Sequence, residues 1–435
     1  MKQDLSLNRR RLLVGSTALA IHAAVGCRQD TEVTIDATPE RRDVPLRITL
    51  VGDEKDAESI RRGWAAVTEH PVSMQSMELN RADAGSLAES LLAVAKKSDL
   101  VVYPLALVAE LVAREAIVAL SDDEFDQIGG GAGNLFPALR NGVGRYAGEH
   151  FGVPLGASLP ALLSVEDPGA VASWQAYDDL VEHEWSSMAG EPSSPGWAGA
   201  MFLWRTAGLK NWLFSRENLQ PLIDAEPSVE ALELMVQTNA RYKLQQQTPD
   251  QIWSATKSGA LQGGIGFPQT SIDSEIQFHV GNLPAINETS RVLLDPFSPL
   301  ISLTSNCRQS ATAKRFMQWI SSGEGSGTVR QRVAGMTDLR RSSGAGGPSE
   351  SISGGSYQQW LATRLNSPVT MPTLQILQGG EYYAALDQQI SRALTGDATP
   401  RQALAEVAKQ WQATTEKVGV DKQLRAWRRA QGMRT

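Results

Sequence analysis

The sequence predicts an α/β protein of two or three domains with parallel sheets at its core. Three observations lead there: a length of 435 residues, an ordinary globular composition, and strand patterns that alternate with helix patterns from residue 46 onward. At roughly 100 to 200 residues per domain, such a chain buries more than one core. Short apolar runs separated by amphipathic stretches are the mark of strands buried on both faces by helices.

The elements follow in order. Leu46 to Val51 alternates apolar residues and ends at Gly52-Asp53-Glu54, a strand opening into a helix over 56–70, where Ile60, Trp64 and Val67 fall at helical spacing. A second strand is expected over 72–79, a helix over 84–97, and a continuous apolar strand over 100–103 closed by Pro104. A helix over 105–114 and a short strand over 117–120 come next. Gly129 to Gly133 is glycine-rich but lacks the Gly-Lys-Ser/Thr ending of a phosphate loop. From 168 to 260 the pattern is mainly helical and holds six of the eleven tryptophans. Strands are then expected at 264–268, 280–284 and 300–304, and a helix at 311–320. Residues 342–355 are a Gly/Ser stretch too polar for a core, a surface excursion or a loop. Two amphipathic helices, 382–395 and 400–417, close the pattern around Gly396-Asp397. The basic C-terminal residues Lys417, Lys422, Arg425, Arg428, Arg429 and Arg434 read as a solvated helix face.

Composition excludes several functions. With 48 acidic against 41 basic side chains the net charge is −7, which opposes nucleic-acid binding. Cys27 and Cys307 are the only cysteines, and His22, His70, His150, His183 and His279 are scattered singly, so no metal or cofactor is expected. No Gly-x-Ser-x-Gly elbow or His-Glu-x-x-His helix occurs, which argues against an enzyme. A glycosidase needs only two carboxylates, so an exported carbohydrate-active hydrolase stays open as an alternative.

Residues 1–26 read as an export signal: the basic head Asn8-Arg9-Arg10-Arg11, a 14-residue apolar run from Leu12 to Val25, then Gly26-Cys27. Fourteen residues are too few to span a bilayer, which takes about 20. The arginine run looks like a twin-arginine signal, and Ala24-Val25-Gly26-Cys27 resembles a bacterial lipobox with Cys27 as the lipidated residue. A plain secretory signal with an incidental cysteine is the other reading. Residues 27–43 are then a polar tether, and loss of 1–26 with its Lys2, three arginines and Asp4 takes the charge to −10. The body would be periplasmic or on the cell surface, held to the membrane through Cys27. Cys307, left alone in an oxidising compartment, is expected buried and inert.

The order of segments resembles extracellular solute-binding protein family 1, the maltose-binding-protein-like sugar-binding lipoproteins of ABC importers. Ser98-Asp99-Leu100-Val101-Val102, the following helix and Val118-Ala119-Leu120-Ser121-Asp122 are similar to a first-lobe run of that family. Phe151-Gly152-Val153-Pro154 with Leu155-Gly156-Ala157-Ser158 looks like its first crossover. Similar likenesses are carried by 219–235, by Gly259-Ala260-Leu261-Gln262-Gly263-Gly264-Ile265-Gly266, by Ala313-Lys314-Arg315-Phe316-Met317-Gln318-Trp319-Ile320, and by the ending from Leu386 through Trp411. One departure is Ser164-Val165-Glu166-Asp167-Pro168, where the family has Tyr-Asn-Lys and a Phe-containing helix.

The resemblance implies a type II periplasmic-binding-protein fold of two α/β lobes, each a mostly parallel sheet flanked by helices, joined by a hinge. Lobe 1 would comprise 44–152 and 268–322, and lobe 2 would comprise 153–267 and 323–435. It implies a monomer that closes on a small-molecule ligand, a sugar, and hands it to permease subunits. The same fold reused as a surface sensor or adhesion lipoprotein is a further alternative. Ligands in such sheets sit beyond the carboxyl ends of strands, and sugars need carboxylates, amides and aromatic faces. The candidates are therefore Asp53 and Glu54 from the first lobe, Ser158 at the crossover, Trp197 and Trp204 from the second lobe, Gln269 from the return segment, and Tyr382. Each has a structural alternative: Asp53 and Glu54 as helix caps, Ser158 as a backbone partner, Trp204 as core, and the Tyr382-Tyr383 pair as helix packing.

Overall fold

The computed structural model describes residues 43–129, 135–209, 212–270, 278–284, 294–322, 326–337, 351–353, 357–366 and 374–432, all within one compact unit. The segment expected to be an export signal, Cys27, the expected tether up to Arg42, and most of the Gly/Ser stretch lie outside the described residues.

Two five-stranded sheets organise the described residues. The first has the order Val72–Met77, Leu46–Val51, Leu100–Pro104, Pro299–Leu303, Val153–Pro154. Its first three strands are parallel, and Pro299–Leu303 runs against both of its neighbours. All five residues of Leu100–Pro104 are buried, as the unbroken apolar run requires. The helix Glu54–Ala65 buries Ala57, Ile60 and Trp64, and the Trp64 ring meets Phe316 and Trp319 edge-on at 5.1 and 5.2 Å. Val67, expected on the same face, lies past the end of this helix and is exposed. The expected helix over 105–114 begins as a tight turn, Leu105–Leu107, before Val108–Ala113. In place of a strand over 117–120 there are two isolated bridges, Ile117 to Thr304 and Leu120 to His150.

One buried carboxylate locks this lobe. Asp99 is fully buried and accepts from Arg47 N, Nε and Nη2 at 2.8 to 2.9 Å, and from Arg308 N at 2.8 Å. Burial alone would raise its pKa, but the Arg47 guanidinium and the two backbone N–H groups outweigh that and hold it below the ordinary carboxylate value.

The second sheet has the order Ser351–Ser353, His279–Gly281, Ala161–Ser164, Gly263–Gly266, Ala189–Gly190. Only the pair Ala189–Gly190 and Gly263–Gly266 is parallel, so this sheet is mixed where a mostly parallel one was expected. The close parallel pair depends on glycine: Gly264 has φ +147°, and a Cβ there would come within 2.4 Å of the Gly190 carbonyl oxygen.

The lobe boundaries move accordingly. Val153–Pro154 belongs to the first sheet, because it pairs with Leu300 and Ile301, and His279–Gly281 belongs to the second, because it pairs with Leu162–Ser164. The crossing back to the first lobe therefore follows 281 and does not occur at 268. Ser351–Ser353, inside the polar stretch expected to be an excursion, adds an edge strand beside His279–Gly281. Nor does everything after 323 join the second lobe. The helix Gly327–Arg332 packs on Glu54–Ala65, where a Cβ at Gly63 would strike Val329 at 2.4 Å. The helix Val420–Ala430 docks on the first-lobe hairpin Arg145–Tyr146 and Glu149–His150, with Ala147 N donating to Arg429 O at 3.3 Å. On this last helix Lys422 and Arg425 are exposed, while Ala426 and Trp427 are buried; Arg434 lies outside the described residues.

Candidate functional site

Three chain segments cross side by side between the two sheets. The first is 155–158, with Leu155 N donating to Pro299 O at 3.0 Å. The second, around 295–299, sends Asp295 N to Ser158 O at 2.9 Å. The third, 335–337, returns Thr337 N to Leu155 O at 3.1 Å and accepts from Ala157 N on Thr337 Oγ1 at 3.0 Å. The segments touch so closely that a Cβ on Gly156 would lie 1.7 Å from Gly335 O. Narrow, adjacent crossovers of this kind are where one lobe can turn on the other.

Beside these crossovers one side chain, Arg81, bridges the lobes. Arg81 lies four residues past the strand Val72–Met77 of the first sheet. Its Nη1 and Nη2 donate to the Asp295 carboxylate at 2.9 and 2.6 Å, and its Nε donates to Gly196 O at 3.1 Å. Its Cζ lies 3.4 Å from the centre of the Trp197 ring and 4.2 Å from that of Phe297. Both charged side chains are nearly enclosed, at 10% and 7% exposure.

Trp197 begins the second-lobe helix Ala198–Thr206, and several groups fix it there. Gly196 takes φ +85°, and its N–H and that of Gly199 donate to Asp387 at 2.7 and 3.0 Å. Phe267 meets the Trp197 ring edge-on at 5.7 Å. Farther along the same helix, Arg205 forms a fully buried pair with Glu191 and stacks over Trp174 at 4.4 Å. The phenols of Tyr177 and Tyr242 pair beside it at 3.1 Å, and burial raises the pKa of both well above 10.

The candidate residues divide between this place and others. Trp197 is half-buried under Arg81 and at the centre of the junction. Ser158 is buried in the first crossover and touches the segment carrying Asp295. Gln269 is exposed; its carbonyl accepts from Gly335 N at 2.9 Å and its N–H donates to Asp250 at 2.8 Å, so its backbone ties the return segment to the hinge. Asp53 and Glu54 are exposed beyond the end of Leu46–Val51. Asp53 precedes the helix Glu54–Ala65 without capping it through its side chain and pairs with Lys55 at 3.1 Å, while Glu54 accepts from Ser76 Oγ at 2.7 Å.

Two candidates face inward. Trp204 is 3% exposed and packs against Trp197 and Phe267, so it supports the cluster from behind. Tyr382 is fully buried on the helix Gly379–Leu394, with its hydroxyl bonded to Thr415 Oγ1 at 2.7 Å and Gln423 Nε2 at 3.0 Å; it holds three helices together and presents nothing to a ligand. Its neighbour Tyr383 reaches the junction, 5.8 Å from Phe297. Cys307 is a free thiol, half-buried where a buried one was expected, and burial pushes its pKa up, which keeps it a poor nucleophile. Among the described residues no cluster of His, Cys, Asp and Glu could hold a metal ion.

Arg81, Asp295, Phe297 and Asp387 carry the junction and are absent from the sequence candidates. Only the strand-end rule could have pointed to Arg81, which stands in the polar run Asn80-Arg81-Ala82-Asp83 just past a strand.

Comparison with known proteins agrees with this geometry at the level of the fold. No family model matches the chain, and no curated protein matches it. Among solved structures it is similar to maltose-bound MalE3 of T. maritima, with a TM-score of 0.64, 14% identity, and coverage of 85% of this chain and 99% of that one. It is also similar to an ABC transporter solute-binding protein from Agrobacterium radiobacter K84 in complex with ribitol, with a TM-score of 0.65, 13% identity, and coverage of 85% and 98%. A sugar transporter structure from Arthrobacter chlorophenolicus A6 with bound laminaribiose follows at a TM-score of 0.60, 12% identity, and coverage of 85% and 99%. The chain therefore has the MalE-like, type II periplasmic-binding fold. No helix among the described residues is long and apolar enough to cross a membrane.

Proposed function

We propose that this chain is an exported, lipid-anchored binding protein that captures a carbohydrate or polyol between its two lobes and delivers it to an ATP-driven importer. The observation that carries the reading is the convergence of both lobes and the crossovers on the half-buried face of Trp197. An indole face beside carboxylates and amides matches the alternating C–H patches and hydroxyls of a sugar ring. Hinge closure over such a ligand sets the closed population by differential affinity. The solved structures of the same fold that hold maltose, ribitol and laminaribiose support that ligand class. Within it, Trp197 supplies the stacking face, Ser158 the crossover hydroxyl, and Asp53, Glu54 and Gln269 the polar rim. The basic head, apolar run and Gly26-Cys27 support export and acylation at Cys27.

The test is thermal melting of protein lacking residues 1–27 against a panel of mono-, di- and oligosaccharides and sugar alcohols. A binder melts higher with one class, because a ligand that binds only the folded state adds RT ln(1 + [L]/Kd). A flat panel would overturn the reading, and turnover of a glycoside would replace it with a hydrolase.

A further inference from the structure

The groups around the Arg81 guanidinium form a receptor for a planar cation. Asp295 offers two carboxylate oxygens in the fork that a guanidinium matches, and Gly196 offers a carbonyl to Nε. The Trp197 and Phe297 rings offer π faces at 3.4 and 4.2 Å. Asp295 is itself held in place: its N–H donates to Ser158 O, and its Oδ1 also accepts from Phe297 N at 3.1 Å. We propose that Asp295, Gly196, Trp197 and Phe297 form a guanidinium cage which Arg81 fills from within the chain, making Arg81 a latch that holds the first lobe to the second.

The parts come from three places. Arg81 follows a strand of the first sheet, Gly196 and Trp197 follow a strand of the second, and Asp295 and Phe297 lie in the crossover. Opening the lobes therefore breaks a bidentate ion pair, a backbone hydrogen bond and a cation–π contact together. A second contact reinforces the closure: the first-lobe helix Ala84–Ala95 abuts Gly379–Leu394, where a Cβ on Gly380 would lie 2.3 Å from Ala84 O. The latch also occupies the face of Trp197 assigned above to a sugar, and this part of the inference rests on that assignment. A ligand stacking there first displaces Arg81, so its apparent affinity is reduced by the fraction of molecules that are latched.

The experiment uses the full chain without any sugar, so its outcome is independent of the ligand class. Small-angle scattering and acrylamide quenching of tryptophan are measured on the wild type, Arg81→Ala and Asp295→Asn, with circular dichroism to confirm folding. Both variants should show a larger radius of gyration and stronger quenching. Methylguanidinium should bind Arg81→Ala saturably by calorimetry while giving no heat with the wild type, whose cage is full; because it has no link to the first lobe, it should leave the radius of gyration of Arg81→Ala enlarged. If Arg81→Ala does not fold, Asp295→Asn, which keeps the arginine and removes its partner charge, carries the scattering test. Folded variants with wild-type scattering and quenching would overturn the latch. Arg81→Ala without methylguanidinium binding would overturn the cage.

Discussion

The Asp387 carboxylate accepts a 2.7 Å hydrogen bond from Gly196 N–H across 191 residues, and a 3.0 Å bond from Gly199 N–H. A side chain on Gly379–Leu394 thus closes the open amino end of Ala198–Thr206 and sets the pose of Trp197 between them. Burial pushes the Asp387 pKa up, and these N–H groups only partly oppose it.

Replacing Asp387 by Ala leaves two buried donors unpaired and should cost about 3 kcal/mol, read from urea unfolding. The Asn variant separates charge from shape. A carboxyl whose folded pKa is raised contributes stability that is full below its unfolded value near 4 and is lost as pH rises through the folded value. Asp387→Asn carries no such loss, so its stability relative to the wild type should improve from pH 4 to pH 7. A difference that is flat across this range would show that the carboxylate does not titrate as placed.

Gly196 and Gly148 take nearly the same φ, +85° and +88°, but differ in surroundings. A Cβ on Gly196 would lie 2.5 Å from Arg81 Cβ and 3.1 Å from Ala82 N, whereas one on Gly148 would meet nothing within 4 Å. Gly148→Ala should therefore cost only the left-handed strain, about 1 kcal/mol. Gly196→Ala should cost that plus the contact with the first lobe, about 2 to 3 kcal/mol in all. Equal melting temperatures for the two variants would mean that the lobes do not meet at Gly196 in solution.

The contrast between local and distant signals explains which parts of this molecule are legible in its sequence. Leu100–Pro104 is readable because a strand buried on both faces must be apolar throughout, and Ile60 and Trp64 are readable because helical spacing is local. The second sheet is harder, since its strands are two to four residues long and one of them is Gly263-Gly264-Ile265-Gly266, with little side chain to form a pattern. Arg81 and Asp295 are 214 residues apart, and neither stands in a periodic context, so their pairing leaves no trace along the chain. Trp197 is marked in the sequence only by its flanking Gly196, whereas Tyr382 and Tyr383 share one side-chain chemistry on one helix and differ only in which way they face.

The pair Glu191 and Arg205 is enclosed at 2% and 1% side-chain exposure. Removing one partner of such a pair strands the other charge, at a cost of about 3 to 5 kcal/mol. Arg205→Ala should reach that range and also lose the stack on Trp174. Arg205→Met with Glu191→Leu, which removes both charges and keeps volume, should be much closer to the wild type. Chemical denaturation of this double variant and of Arg205→Met and Glu191→Leu singly distinguishes the cases, and an additive double variant would contradict direct coupling.

His150 provides the pH test for the first lobe. Its ring stacks on Phe125 with centroids 3.8 Å apart, and the residue is 3% exposed. Burial lowers its pKa below 6.5, the nearby Arg145 and Arg140 lower it further, and Asp122 and Asp126 oppose them only in part. The folded chain therefore holds this imidazole neutral in a range where the unfolded chain takes up a proton. More protons on the unfolded state mean that stability falls as pH drops, beginning near 6.5 and continuing to the lower folded value. Replacement by Phe keeps a ring against Phe125 and removes the titration. His150→Phe should therefore lose less stability than the wild type between pH 7.5 and pH 5.5, as measured by urea unfolding at each pH. Parallel pH dependences would show that His150 takes up its proton in the folded chain as readily as in the unfolded one, which would require Asp122, with Nε2 to Oδ1 at 3.5 Å, to offset burial.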